Sequence, residues 1–129
     1  SYVDLAKKVG LSRVAVKDRI NSLKERGIIE KFTVVINSEK AGKHISAFFE
    51  VEVTPMRLQQ VAENLAANPN VASIYQMTGR STLHMHVLVE NMQMLESFIN
   101  KELYSVEGIT RIDSSVILKR FKSRNGYKL

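Results

Sequence analysis

Hydrophobic and polar positions recur with two different periods along the chain, and the change of period divides it. Near the start, Val3, Leu5, Ala6 and Val9 put apolar groups on one side of a short helix, and Gly10 ends it because glycine takes a left-handed turn conformation without steric cost. Leu11 packs inward, and Ser12 is a natural N-cap for a second helix. There Val16, Ile20 and Leu23 fall at i, i+4 and i+7, which makes one buried stripe that closes at Gly27. The β-branched run Ile28 to Asn37, IIEKFTVVIN, predicts extended chain, and NSEKAGK reads as a linker.

From Ile45 onward strands and helices alternate. SAFFEVEV sets Phe49, Val51 and Val53 against Glu50 and Glu52, the period-2 signature of a half-buried strand. Thr54 and Pro55 supply the expected cap and first-turn proline of a helix whose Leu58, Val61, Ala62 and Leu65 share a face, and Asn68-Pro69 stops it. VASIYQMTG and LHMHVLVEN are the second and third strands, joined through a short GRST turn. Asn91 caps a second helix carrying Leu95, Phe98, Ile99 and Leu103, and ITRIDSSVILKRFK after Gly108 is the fourth strand. The order βαββαβ predicts an α+β protein: a helix-turn-helix followed by a ferredoxin-like antiparallel sheet with both helices on one face. Phe48 and Leu88 fall on the opposite face, which therefore calls for a partner, most simply a second copy of the chain.

The predicted division is a helix-turn-helix segment over 1–31, an extended strand and linker over 32–45, a βαββαβ domain over 46–122 and a basic tail over 123–129. Charge follows it. The 129 residues carry a net charge of +6. Residues 1–31 hold eight Lys/Arg against four Asp/Glu, residues 46–118 hold four against eight, and the final KRFKSRNGYKL adds +5. Basic ends around an acidic middle point to a polyanion for the ends and something else for the centre. The chain has no cysteine, which excludes disulfides and thiolate zinc sites. No apolar run approaches the roughly 20 residues that span a bilayer, so no membrane partner is expected and the expected location is the cytoplasm.

The helix-turn-helix spacing is physically demanding: Ala6 is small where the helices cross, Gly10 makes the turn and Val16 lies in the core. The start of the second helix would then enter a major groove of double-stranded DNA, presenting Ser12, Arg13, Val14, Ala15, Lys17 and Asp18, with Arg19 further round toward the backbone. Arg13 suits guanine, Val14 or Ala15 a thymine methyl, and Ser12 and Lys17 phosphates, while Lys24 adds sequence-independent attraction. The competing reading is a solvated or protein-binding helix face.

In the sheet region, His84 and His86 share one side of a strand, with no cysteine and no nearby carboxylate expected to orient a ring and complete a metal site. The pair is expected on a half-exposed or interface face, and packing is the expected role of the nearby methionines. Gly79, Arg80, Ser81 and Thr82 form a turn that reads equally as a plain hairpin or as a site for a small anion. With Tyr75, Met77 and His84 they are the candidate effector residues. No catalytic motif is present, and neither an enzyme activity nor a cofactor or metal is expected.

LAKKVGLSRVAVKDRINSLKERGIIEKFTVVIN, then VASIYQMTGRSTLHMHVLVEN, then VEGITRIDSSVILKRFK together resemble the Lrp/AsnC (feast/famine) family of transcription regulators over nearly the whole chain. The resemblance implies a winged or extended helix-turn-helix, a homodimer that often builds octamers, and a small effector, usually an amino acid, bound in the sheet domain. It also implies a further helix ahead of Ser1, so that Leu5, Ile20 and Leu23 are partly uncovered in a chain trimmed at that end. Family members carry T-G-D-Y-D where this chain has Thr78, Gly79, Arg80, Ser81 and Thr82. Arginine does not suit an amino group as aspartate does, so the expectation is no effector or one with a different charge pattern. The resemblance leaves two alternatives: a tetrapyrrole decarboxylase, as a few relatives are, with His84 and His86 as acid and base, or a sensor acting through protein contacts without DNA.

Overall fold

The computed structural model describes residues 1–122, which fall into two compact units, Ser1–Val35 and the chain from Ile36 onward. The predicted basic tail over 123–129 lies outside the described residues.

The first unit is a helix pair. In α1 (Tyr2–Val9) the Ser1 hydroxyl accepts the Asp4 amide, and Gly10 ends the helix at φ 70°. In α2 (Arg13–Glu25) the Ser12 hydroxyl accepts the Ala15 amide at 3.1 Å, as its position predicts. The helices meet through Ala6 and Val16, the two side chains buried in this unit among the described residues. Leu5 stays exposed and Ile20 and Leu23 are half-buried. An apolar hollow of about 460 Å³ opens between Tyr2, Leu5, Ile20 and Phe32.

The stretch Ile28–Asn37 departs from its expected strand. Ile28 and Ile29 amides still donate to the Leu23 carbonyl, and the chain from Glu30 to Asn37 then runs without regular structure. A β-branched segment becomes a strand only where a neighbour completes its ladder, and none does so among the described residues.

The second unit is a four-stranded sheet in the order β2-β3-β1-β4, antiparallel throughout. Its strands are β1 (Ile45–Val53), β2 (Val71–Met77), β3 (Thr82–Val89) and β4 (Ile109–Val116). Alternation along β1 and β3 buries Ala47, Phe49, Val51 and Val53 together with Leu83, Met85, Val87 and Val89. The helices α3 (Leu58–Ala66) and α4 (Met92–Phe98) cover that face with Val61, Leu65, Leu95 and Phe98, the Phe49 and Phe98 rings meeting at 5.9 Å. This is the ferredoxin-like arrangement that βαββαβ predicts.

Three local expectations are corrected. Thr54 does not cap a helix with its side chain. Its amide donates to the Gly108 carbonyl at 2.8 Å, and Pro55–Arg57 forms a 3₁₀ turn before α3 begins at Leu58. Asn91 does cap α4, but beyond Phe98 the helix widens into a π-helical turn, Ile99–Tyr104, which keeps Leu103 fully buried. Finally β4 ends at Val116, six residues short of Lys122, because β1 begins at Ile45. After the Ile117 amide donates to the Ser46 carbonyl, little of β1 is left to pair with.

Candidate nucleic-acid interface and sheet-face site

At 100° per residue, the direction opposite the buried Val16 is occupied by Val14, Asp18, Asn21 and, at the far end of the helix, Glu25, each within about 40° of it. Arg13, Lys17 and Lys24 lie along one flank of that stripe and Arg19 along the other. Ser12, Arg13, Val14, Lys17, Asp18, Arg19 and Lys24 are all exposed, whereas Ala15 is half-buried beside the cap. Arg13 borders the apolar hollow together with Tyr2, Leu5 and Ile20, on the flank of the helix. The Lys24 ammonium lies 5.4 Å from the centre of the Phe32 ring. Among the described residues, every ion pair belongs to the sheet unit, so the cations of α2 are available to an outside anion. Asn21, absent from the sequence-derived candidates, is exposed on the same stripe, seven residues from Val14 and three from Asp18.

On the sheet, the face away from α3 and α4 divides into two halves by strand register. One half is apolar and aromatic: Phe48 on β1 stands opposite His86, and its ring stacks against both His86 (4.5 Å) and His84 (5.5 Å). His86 Nε2 and the Ser46 hydroxyl are joined by a 2.5 Å hydrogen bond. Burial lowers the His86 pKa from its ordinary 6.5, and the positive charges of Arg120 and His84 lower it further.

The other half is charged. Glu50 is opposite His84 on one side and Asp113 on the other, and Glu52 is opposite Thr82 and Arg111. The expectation that His84 has no carboxylate near it is therefore corrected, since Glu50 is adjacent across the ladder though far away in sequence. Arg80 Nη1 is 3.9 Å from Glu52 Oε2, and Arg111 Nε is 3.2 Å from Asp113 Oδ2. Together with Thr82 these groups line an open hollow of about 190 Å³.

Of the candidate effector residues, Arg80 and Thr82 line this hollow. Tyr75 and Met77 flank it on β2, opposite His84 and Thr82, while Gly79 turns the hairpin at φ 96°. The Ser81 carbonyl is tied to the Val53 amide. Among the described residues no cluster of His, Asp or Glu could hold a metal ion, and no helix is long and apolar enough to cross a membrane.

Comparisons with known proteins agree with both halves of this description. Residues 46–127 match the Lrp/AsnC ligand binding domain, and residues 1–30 match a winged helix-turn-helix DNA-binding model. An uncharacterized HTH-type transcriptional regulator of Pyrococcus horikoshii is 34% identical over 91% of this chain and 74% of its own length. The HTH-type transcriptional regulator LrpA of the same organism is 30% identical over 94% of this chain and 86% of its own. Among solved structures, a transcriptional regulator from Neisseria meningitidis in complex with L-Met superposes with a TM-score of 0.91 at 22% identity, over 99% of this chain and 84% of that one. The E. coli AsnC structure does so with a TM-score of 0.84 at 18% identity, over 96% and 84%. With its helix-turn-helix, its ligand-binding sheet domain and these relatives, the chain belongs to the Lrp/AsnC family of HTH-type transcriptional regulators.

Proposed function

We propose that the protein is a sequence-specific regulator that binds double-stranded DNA as a homodimer, with α2 of each protomer in a major groove. The observation that carries this is the outer surface of α2, whose cations are exposed, without an ion-pair partner among the described residues, and arranged along the flanks of one stripe. Bound DNA would supply their counter-charges while the helix N-terminus meets the groove. Dimerisation is supported by two unpartnered apolar surfaces. Phe32, Val34, Val35 and Ile36 are exposed in a segment without regular structure, and Phe48 with Leu88 sits half-buried on the sheet face away from the helices. Sedimentation of the free protein separates the dimer from the octamer that the family resemblance implies.

The charged hollow supports a small effector whose charge pattern follows this chain's own residues. A carboxylate would meet Arg80 and Arg111, and an ammonium group Glu50 or Glu52. That pattern fits an amino-acid-like molecule even though the turn carries arginine. His84 and His86 serve in packing, each stacked on Phe48, and the reading assigns them no catalytic step.

The test is the salt dependence of duplex binding, measured by fluorescence anisotropy. Log affinity should fall linearly with log salt, and Lys17→Ala should make that slope shallower by about 0.9 for each phosphate the side chain neutralises. Binding that is indifferent to salt, or a slope unchanged by Lys17→Ala, would contradict the assignment.

A further inference from the structure

The charges on α2 are sorted by direction. Its cations, Arg13, Lys17, Lys24 and Arg19, occupy the two flanks, and the stripe between them, Val14, Asp18, Asn21 and Glu25, contains none. A carboxylate at the centre of that stripe repels phosphate and accepts hydrogen bonds from base amino groups, and a carboxamide suits adenine. The flanks are therefore built for the sugar-phosphate backbone and the stripe for base edges. Val14 is the apolar member of the stripe. It is 68% exposed, so its methyl groups are free to meet a ligand on that stripe.

Resting on the DNA-binding reading above, we propose that Val14 is the apolar specificity determinant of α2 and packs against the C5-methyl group of one thymine in each half-site. That methyl is the apolar group a duplex displays in its major groove. Ala15, the other aliphatic side chain at the start of α2, is half-buried and lies about 80° from the centre of that stripe. Valine in a helix also keeps one strongly preferred side-chain rotamer, so its methyl groups are pre-positioned at small entropic cost. The assignment moves Arg13 from base reading to the phosphate flank.

The test needs no variant that could misfold. Duplexes containing a selected site are prepared with each thymine replaced in turn by deoxyuridine, which removes only the methyl group, and their affinities for the full-length protein are compared. Burial of one methyl-sized group is worth a factor of about four, so one position in each half-site should weaken binding about fourfold on demethylation. Val14→Ala should remove that sensitivity at the same position and leave the other thymines unaffected. Tight binding with no thymine sensitive to demethylation would overturn the Val14 assignment alone, as would a Val14→Ala protein that keeps full sensitivity. Failure to bind any duplex would overturn it together with the DNA-binding reading.

Discussion

Gly79 and Gly108 have nearly the same backbone conformation, φ 96° and 98°, in different surroundings, and this makes them a controlled pair. A Cβ added at Gly79 would meet nothing within 4 Å, whereas one added at Gly108 would lie 2.8 Å from both Cβ and Cγ of Arg57 and 3.2 Å from the Thr54 hydroxyl. The Arg57 Cβ is fixed to the backbone and cannot swing aside. The Gly108 carbonyl also holds the Thr54 amide at 2.8 Å, so any shift of the loop weakens the junction that starts α3.

Alanine at either position incurs left-handed strain of about 1–2 kcal/mol. Reduced freedom of the unfolded chain offsets about 0.4–1 kcal/mol of this in both. Only Gly108→Ala adds overpacking, about 1–3 kcal/mol. Gly79→Ala should therefore be mildly destabilising and Gly108→Ala worse by about 1–3 kcal/mol, equivalent to at least about 4 °C in Tm for a unit of this size. Urea and thermal unfolding followed by circular dichroism measure both variants. Equal losses, or the larger loss at Gly79, would refute the steric argument.

Three further outcomes are expected. Because the His86 pKa is lowered in the folded state, the unfolded chain takes up this proton first. Stability should fall as pH drops below 6.5 and through the lowered folded value, and urea midpoints against pH should show a weaker fall in His86→Gln. Phe48→Glu places a charge on the half-buried apolar part of the sheet face and should shift sedimentation toward monomer while the circular dichroism spectrum is kept. If the charged hollow holds an amino-acid-like effector, a screen of free amino acids by thermal shift should find a ligand that raises Tm, and Arg80→Ala should abolish that rise.

The sheet unit was legible because alternation along β1 and β3 is strict: one set of positions is buried and the other is not. The helix pair was legible for a different reason, since Ala6, Gly10, Ser12 and Val16 each meet a steric or hydrogen-bonding demand at a fixed spacing. Features that depend on distant partners were not legible. Glu50 is 34 residues from His84 and becomes its neighbour only through strand register. The amide of Thr54 is claimed by Gly108 rather than left for a helix start, and Ile28–Asn37 has β-branched composition but no partner strand among the described residues. On α2 the sequence pattern alone presents the first residues as one nearly contiguous run, whereas directions taken relative to the buried Val16 separate the stripe proposed above to face the bases from its cationic flanks.

Whether α2 reads DNA sequence is decided by selecting bound duplexes from a random DNA library with the full-length protein at near-physiological salt. Enrichment of a pseudo-palindrome is expected, with half-sites about one helical turn, or a multiple of it, apart, so that two copies of α2 reach successive major grooves. Retention of duplexes without sequence enrichment, or no retention at all, would contradict that reading of α2.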